Sequence, residues 1–244
     1  YYLGEKDKFY KYYKELIANN IINPLISSIG SHASIRFGVS NKENPFCSDP
    51  FAYIKKENIS DANELNEDLI SSILKFHNSG ESDPKSQPLL SNGKQSSGNI
   101  FLNQREDVQK LKEILNKKVK NYLMEFGKSN EGFIKKWPEK YNIYGWLVSI
   151  NTGGSLAAHI HKEGWLSGSL YFKMPTKKTS HEGNIVFSYN GANYPTDGKE
   201  FREKSVDVNK GDLVLFPSSL FHHTIPFKSN EERVTFAFDI IPQN

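Results

Sequence analysis

Arg233-Val234-Thr235-Phe236-Ala237-Phe238-Asp239-Ile240 alternates without a break: Val234, Phe236, Phe238 and Ile240 fall on one side, and Arg233, Thr235, Ala237 and Asp239 on the other. A period of two is the signature of a strand with one face on a core. The same period runs through 142–152, 166–174, 184–189, 205–208 and 212–216, with Asn209-Lys210-Gly211-Asp212 as a turn between the last two. Short strands in succession, with no helical stretch between them, predict an antiparallel sandwich or barrel.

Upstream of Trp137-Pro138 the pattern is helical. Phe9, Tyr12, Tyr13, Leu16, Ile17 and Ile21 recur at three- and four-residue spacings over 5–22. Leu65, Leu69, Ile70, Ile73 and Leu74 do the same over 62–76, with Asp61 or Ser60 as N-cap. The clearest stripe is Val108, Leu111, Ile114, Leu115, Val119, Tyr122 and Leu123 over 106–126, which Gly127 ends. Residues 23–60 show no period and read as irregular; 78–99, rich in Ser, Gly, Asn and Pro, read as a linker or lid. The expected class is α+β, mainly β, with helices packed outside the sheets. The chain divides into a helical and irregular extension at 1–60 and a domain at 61–244, with helices over 61–127 and a β core over 140–242.

Composition excludes several classes. Lys+Arg 31 against Asp+Glu 28 is too even a balance for a nucleic-acid partner. The lysines from Lys110 to Lys140 interleave with an apolar stripe and read as a solvated helix face. One cysteine, Cys47, makes no intramolecular disulfide, which suits a reducing, cytoplasmic setting. No apolar run is long enough to span a membrane. The start, Tyr1-Tyr2-Leu3-Gly4, lacks an initiator Met and reads as an excerpt of something longer.

The chemistry gathers late in the chain. His159-Ile160-His161, on extended backbone, would turn two imidazoles to one face, a chelating pair. A third nitrogen is offered by His222-His223, brought back by the antiparallel path; only one of these two can easily face inward. Imidazole suits Fe, Zn, Cu and Ni, so the ligands alone do not choose the metal. Arg233 and Thr235 project from one strand face. A guanidinium fork with a hydroxyl beside it can hold the far carboxylate of a dicarboxylate whose near end chelates the metal. Ser167, Ser169 and Tyr171 share a face of the 166–174 strand. Any of these hydroxyls is a candidate to touch that carboxylate, and the bland reading of Tyr171 is a core residue. Asn151 has the same standing. His161-Lys162-Glu163 offers a second register, in which Glu163 replaces a histidine and His159 retreats to support.

Taken together, His159-Ile160-His161, Leu166-Ser167-Gly168, Phe216-Pro217-Ser218 and Arg233-Val234-Thr235 resemble the Fe(II)/2-oxoglutarate oxygenase superfamily, within it the family with a His-x-His, Leu-Ser-Gly, Phe-Pro-Ser and Arg-x-Ser/Thr pattern. The resemblance covers roughly 60–241 and is strongest from Trp146 onward. It implies a double-stranded β-helix (a jelly-roll, cupin-like barrel), a single Fe(II), 2-oxoglutarate and O2 as co-reactants with an unidentified primary substrate, and succinate plus CO2 as co-products. It also implies His222 rather than His223 as the distal ligand, and it favours His161 over Glu163. The sequence departs in two places: most of the superfamily carries a carboxylate where His161 stands, and the family tends to carry Pro where Lys162 stands. The competing readings are a cupin-like Zn or Mn barrel acting as hydrolase or isomerase, and a non-catalytic binding module.

Overall fold

The computed structural model describes residues 1–60 and 65–243. The helices are α1 (Lys6–Ala18), α2 (Pro24–Phe37), α3 (Glu67–Asn78), α4 (Glu106–Phe126) and the single turn α5 (Gly132–Lys135). The strands are β1 (Lys55–Asn58), β2 (Leu90–Gln95), β3 (Tyr141–Leu156), β4 (Leu166–Lys173), β5 (Ile185–Ser188), β6 (Glu203–Val206), β7 (Asp212–Pro217), β8 (Phe221–Thr224) and β9 (Arg233–Pro242). Six strands form an antiparallel sheet in the order β1-β7-β4-β9-β3-β2, and three form a smaller one in the order β6-β5-β8.

The alternation in the sequence sorts residues between two cores. Leu213 and Leu215 of β7, with Val234, Phe236, Phe238 and Ile240 of β9, face the helices. There they meet Leu69, Ile70 and Ile73 of α3 and Val108, Leu111, Leu115 and Val119 of α4. Each such aliphatic side chain, moved from water to full burial, contributes roughly 1.5–3 kcal/mol. Val214 and Phe216, one residue out of phase, face the smaller sheet and pack with Ile185 and Phe187. The layers are therefore helices, large sheet and small sheet, and Arg233, Thr235, Ala237 and Asp239 point between the sheets.

Three readings of the sequence need correction. The 23–60 stretch is not irregular: it holds helix α2 and strand β1, the latter paired with β7 at the edge of the large sheet. No stripe marks α2 because its buried face is largely polar: Ser27, Ser28, Ser31, His32 and Arg36 are buried with Ile26 and Ala33, while the apolar Leu25 is exposed. Its punctuation was legible. Asn23 caps it by accepting from Ile26 N, Pro24 stands at its first turn, and Gly38 closes it at φ 65°.

The 78–99 stretch is not a linker, since β2 lies within it and pairs with β3. The third correction is β8, a strand in the stretch between 212–216 and Arg233 to which the alternation assigns none. The helix expected over 62–76 starts at Glu67, capped by Asn66; Asp61 and Ala62 lie outside the described residues. Among the described residues no helix is long and apolar enough to cross a membrane.

Candidate metal centre

Backbone pairing brings the three histidines together. His159 and His222 form a two-way bridge, His159 N donating to His222 O at 3.1 Å and His222 N to His159 O at 3.0 Å. His161 N donates to Ser218 O at 3.3 Å, which ties the same loop to the turn before β8. One potential ligand atom from each imidazole then lies within 4.8 Å of the others. The Nε2 atoms of His159 and His161 are 3.1 Å apart.

The opposite ring nitrogen of each histidine meets an oxygen. His159 Nδ1 donates to Ala157 O at 2.8 Å, His222 Nδ1 to Leu220 O at 3.2 Å and His161 Nδ1 to Asp239 Oδ1 at 2.7 Å. A proton fixed on Nδ1 leaves Nε2 as a lone pair, the arrangement of metal-binding imidazoles. Protonation is opposed as well. Burial, then the neighbouring His161, brings His159 down to about 4, and burial holds His222 well below the ordinary imidazole range. Convergent imidazole lone pairs repel one another and accept a cation, so the donor set fits a divalent metal.

These rings open into a cavity of about 250 Å³, shared with Trp146, Ser169, Arg233, Thr235 and Ala237. Arg233 is 4% exposed. Its Nε donates to Gly183 O at 3.1 Å, and its guanidinium carbon lies 4.9 Å from the Tyr171 ring centroid. Among the described residues no carboxylate pairs with it, and burial lowers its pKa. Thr235 Oγ1 and Tyr171 Oη are likewise buried without a hydrogen-bond partner. A fully buried cation beside an unpartnered hydroxyl is a costly arrangement unless an anion arrives.

The remaining candidates are placed as follows. Ser169 lines the cavity, whereas Tyr171 lies beneath Arg233 in the core between the sheets and does not itself line it. Glu163 is exposed and outside the histidine cluster, and Asn151 is exposed on β3. His223 is half-buried, and as the next residue of β8 it falls on the opposite strand face from His222. A larger, shallow depression of about 530 Å³ lies along α3 and the start of α4 and contains no histidine. The sequence reading offers the Ser167 hydroxyl, with those of Ser169 and Tyr171, to the carboxylate, whereas Ser167 donates to Asp239 and does not line the cavity. It gives no role to Asp239, Ser218 or Trp146. Alternation placed Asp239 on the face of Arg233, but nothing in the sequence said it would reach His161.

Residues 144–239 match the family described as "Putative 2OG-Fe(II) oxygenase". No curated protein matches the chain by sequence. Among solved structures, a prolyl-4-hydroxylase from Pseudomonas putida superposes with TM-score 0.53 at 13% identity, covering 78% of this chain and 93% of that one. The collagen prolyl hydroxylase of Paramecium Bursaria Chlorella virus-1, in complex with 2-oxoglutarate, gives TM-score 0.52 at 15% identity, covering 78% and 97%. HygX from Streptomyces hygroscopicus, with nickel and 2-oxoglutarate bound, gives 0.54 at 12% identity, covering 78% and 83%. The family resemblance is borne out over residues 144–239, and so is the double-stranded β-helix expected from it. Fe(II) and 2-oxoglutarate are the cofactors of that family, and the three-histidine cluster fits the metal.

Proposed function

We propose that the protein is a dioxygenase that hydroxylates an organic substrate, small molecule or protein side chain, holding Fe(II) on His159, His161 and His222. When bound, Fe(II) and 2-oxoglutarate supply the oxidation of substrate by O2, with succinate and CO2 released. The chain's own residues do the rest. The Nδ1 hydrogen bonds to Ala157 O, Asp239 and Leu220 O keep the three rings in the tautomer that presents Nε2. Arg233 and Thr235 receive the far carboxylate of the dicarboxylate, with Ser169 beside them and Tyr171 supporting the guanidinium from behind. The enclosing walls keep water from the reacting atoms.

The observation that carries this reading is Arg233: a buried guanidinium with no carboxylate partner, in the same cavity as a metal-competent cluster. In a hydrolytic or isomerising Zn or Mn barrel that cation would need an anionic substrate, whereas 2-oxoglutarate itself supplies the carboxylate, and a binding module leaves three convergent imidazoles without a metal to hold. The test is anaerobic addition of Fe(II) and then 2-oxoglutarate. A weak visible absorption should appear only with both, and admitting O2 should yield succinate. Absence of both signals would sink the proposal. Mass analysis of the product formed from a turned-over substrate then separates hydroxylation from other outcomes.

A further inference from the structure

The three imidazoles are not equivalent. His159 and His222 turn Nδ1 to neutral carbonyls, whereas His161 turns it to the carboxylate of Asp239. Asp239 is 6% exposed. Its Oδ1 also accepts from Ser167 Oγ at 2.6 Å, and Ser167 Oγ lies 2.7 Å from Ser218 Oγ. Among the described residues no Lys or Arg pairs with Asp239; its only ion-pair contact is the ring of His161. A buried carboxylate with hydrogen bonds but no cation is an incomplete arrangement. Three neutral imidazoles around a divalent ion are incomplete in the opposite sense, because they bring no negative charge into a dry site.

We propose that Asp239 is a positioning residue that delivers negative charge to the metal through His161, making His161 the strongest donor of the three. The inference rests on reading His159, His161 and His222 as metal ligands. A carboxylate on Nδ1–H draws the proton towards itself and raises the donor strength of Nε2, which a peptide carbonyl does less well. The local sequence makes room for this contact. Gly164 closes the turn after His161, and a Cβ there would stand 2.7 Å from Ser218 Oγ and 3.0 Å from Asp239 Cγ. Asp239 is also opposite Ser167 in the β4–β9 register, so the hydroxyl that orients its carboxylate is fixed by strand pairing. One strand face thus serves both ends of the site: Arg233 for an anion and Asp239 for a cation.

The test uses Asp239→Asn in the full chain, which keeps the size and an acceptor oxygen but removes the charge. Fe(II) and Co(II) dissociation constants, measured by competition with a chelator, should rise about 10–100-fold. The anaerobic Fe(II)/2-oxoglutarate absorption should move to shorter wavelength, because the metal becomes less electron-rich. The metal-free variant should melt no lower than wild type, since an uncompensated buried charge has been removed. A merely structural Asp239 predicts the reverse: lower melting and unchanged metal affinity. Should the variant fail to fold, the wild-type Zn(II) form gives an independent readout. One of its three ligand ring N–H protons should resonate well downfield of the other two. Unchanged metal affinity in Asp239→Asn, or three equivalent ring protons, would overturn this inference alone. A wild type that binds no divalent ion would overturn the three-histidine reading and this inference with it.

Discussion

Arg233 sits over Tyr171, guanidinium carbon to ring centroid 4.9 Å, and donates from Nε to the Gly183 carbonyl at 3.1 Å. The cation is therefore fixed by a ring below and a backbone oxygen at its edge, while burial lowers its pKa from the ordinary arginine value. Charge and orientation are prepared in advance of the anion, which reduces the reorganisation that binding requires.

Arg233→Gln should weaken 2-oxoglutarate binding by about 100-fold, in line with the loss of one member of a buried, hydrogen-bonded charge pair. Metal affinity should stay within a few-fold of wild type, because the histidines are untouched. Arg233→Met should raise the melting temperature of the ligand-free protein, since a buried, uncompensated charge is replaced by an apolar side chain of similar length. Titration calorimetry for the cosubstrate and thermal melts for the apoprotein check the two halves; equal 2-oxoglutarate affinity in wild type and Arg233→Gln would refute the anion role.

A metal that binds only the folded site stabilises it by mass action, about 4 kcal/mol at a thousandfold excess over the dissociation constant. For a chain of this size that corresponds to on the order of 10 °C in Tm. Co(II) or anaerobic Fe(II) should produce such a shift, and a chelator should reverse it. His222→Ala should abolish both the shift and succinate formation. Succinate release at the wild-type rate from His222→Ala would rule out His222 as a ligand.

How much of this was visible beforehand follows from what each signal measures. The alternation of Arg233 to Ile240 was readable because one face meets a dry core and the other a cavity, so polarity and geometry agree. Helix α2 hid because serines, His32 and Arg36 share its buried positions while Leu25 is exposed, so polarity does not track burial and only Asn23, Pro24 and Gly38 remain as markers. Strand β2 hid because Leu90–Gln95 carries Ser, Asn, Gly and Lys at an exposed edge, a composition that elsewhere means loop. His159, His161 and His222 were legible as residue types at a spacing. The partner of His161 was not, since the Asp239 contact depends on two strands and a turn meeting in space.

Acid should destabilise the metal-free protein through these same rings. In the unfolded chain the imidazoles titrate near 6.5, whereas in the fold burial and the neighbouring His161 bring His159 to about 4, and burial puts His222 well below its usual value. Folding thus favours the neutral rings, and their contribution is full above the unfolded value. It drains away as pH falls from there towards about 4. His32 and His77 shift in the same direction, chiefly from burial. The relevant quantity is therefore the difference in urea midpoint between wild type and His222→Leu. That difference should move in favour of the variant as pH drops from 7 to 5; a constant difference would argue against a buried neutral His222.

Gly168 tests the sheet that carries the site. It lies in β4, flanked by β7 and β9, and a Cβ built there would stand 2.3 Å from the Phe238 ring and 3.0 Å from Leu215 Cδ2. Both neighbours are within the core shared with the helices, Phe238 fully buried and Leu215 1% exposed, so neither can swing into solvent. Gly168→Ala should therefore cost about 1–3 kcal/mol, the usual penalty of overpacking a filled core. Phe238→Leu should also destabilise on its own, through lost apolar contact. Combined, the two changes should cost less than their sum, because the smaller side chain vacates the space the new methyl needs. Urea unfolding of the four proteins measures the coupling directly. A strictly additive pair would mean that the methyl is accommodated by backbone movement rather than by the ring, and the distance between β4 and β9, hence between Ser167 and Asp239, would then be softer than the hydrogen bond of 2.6 Å implies.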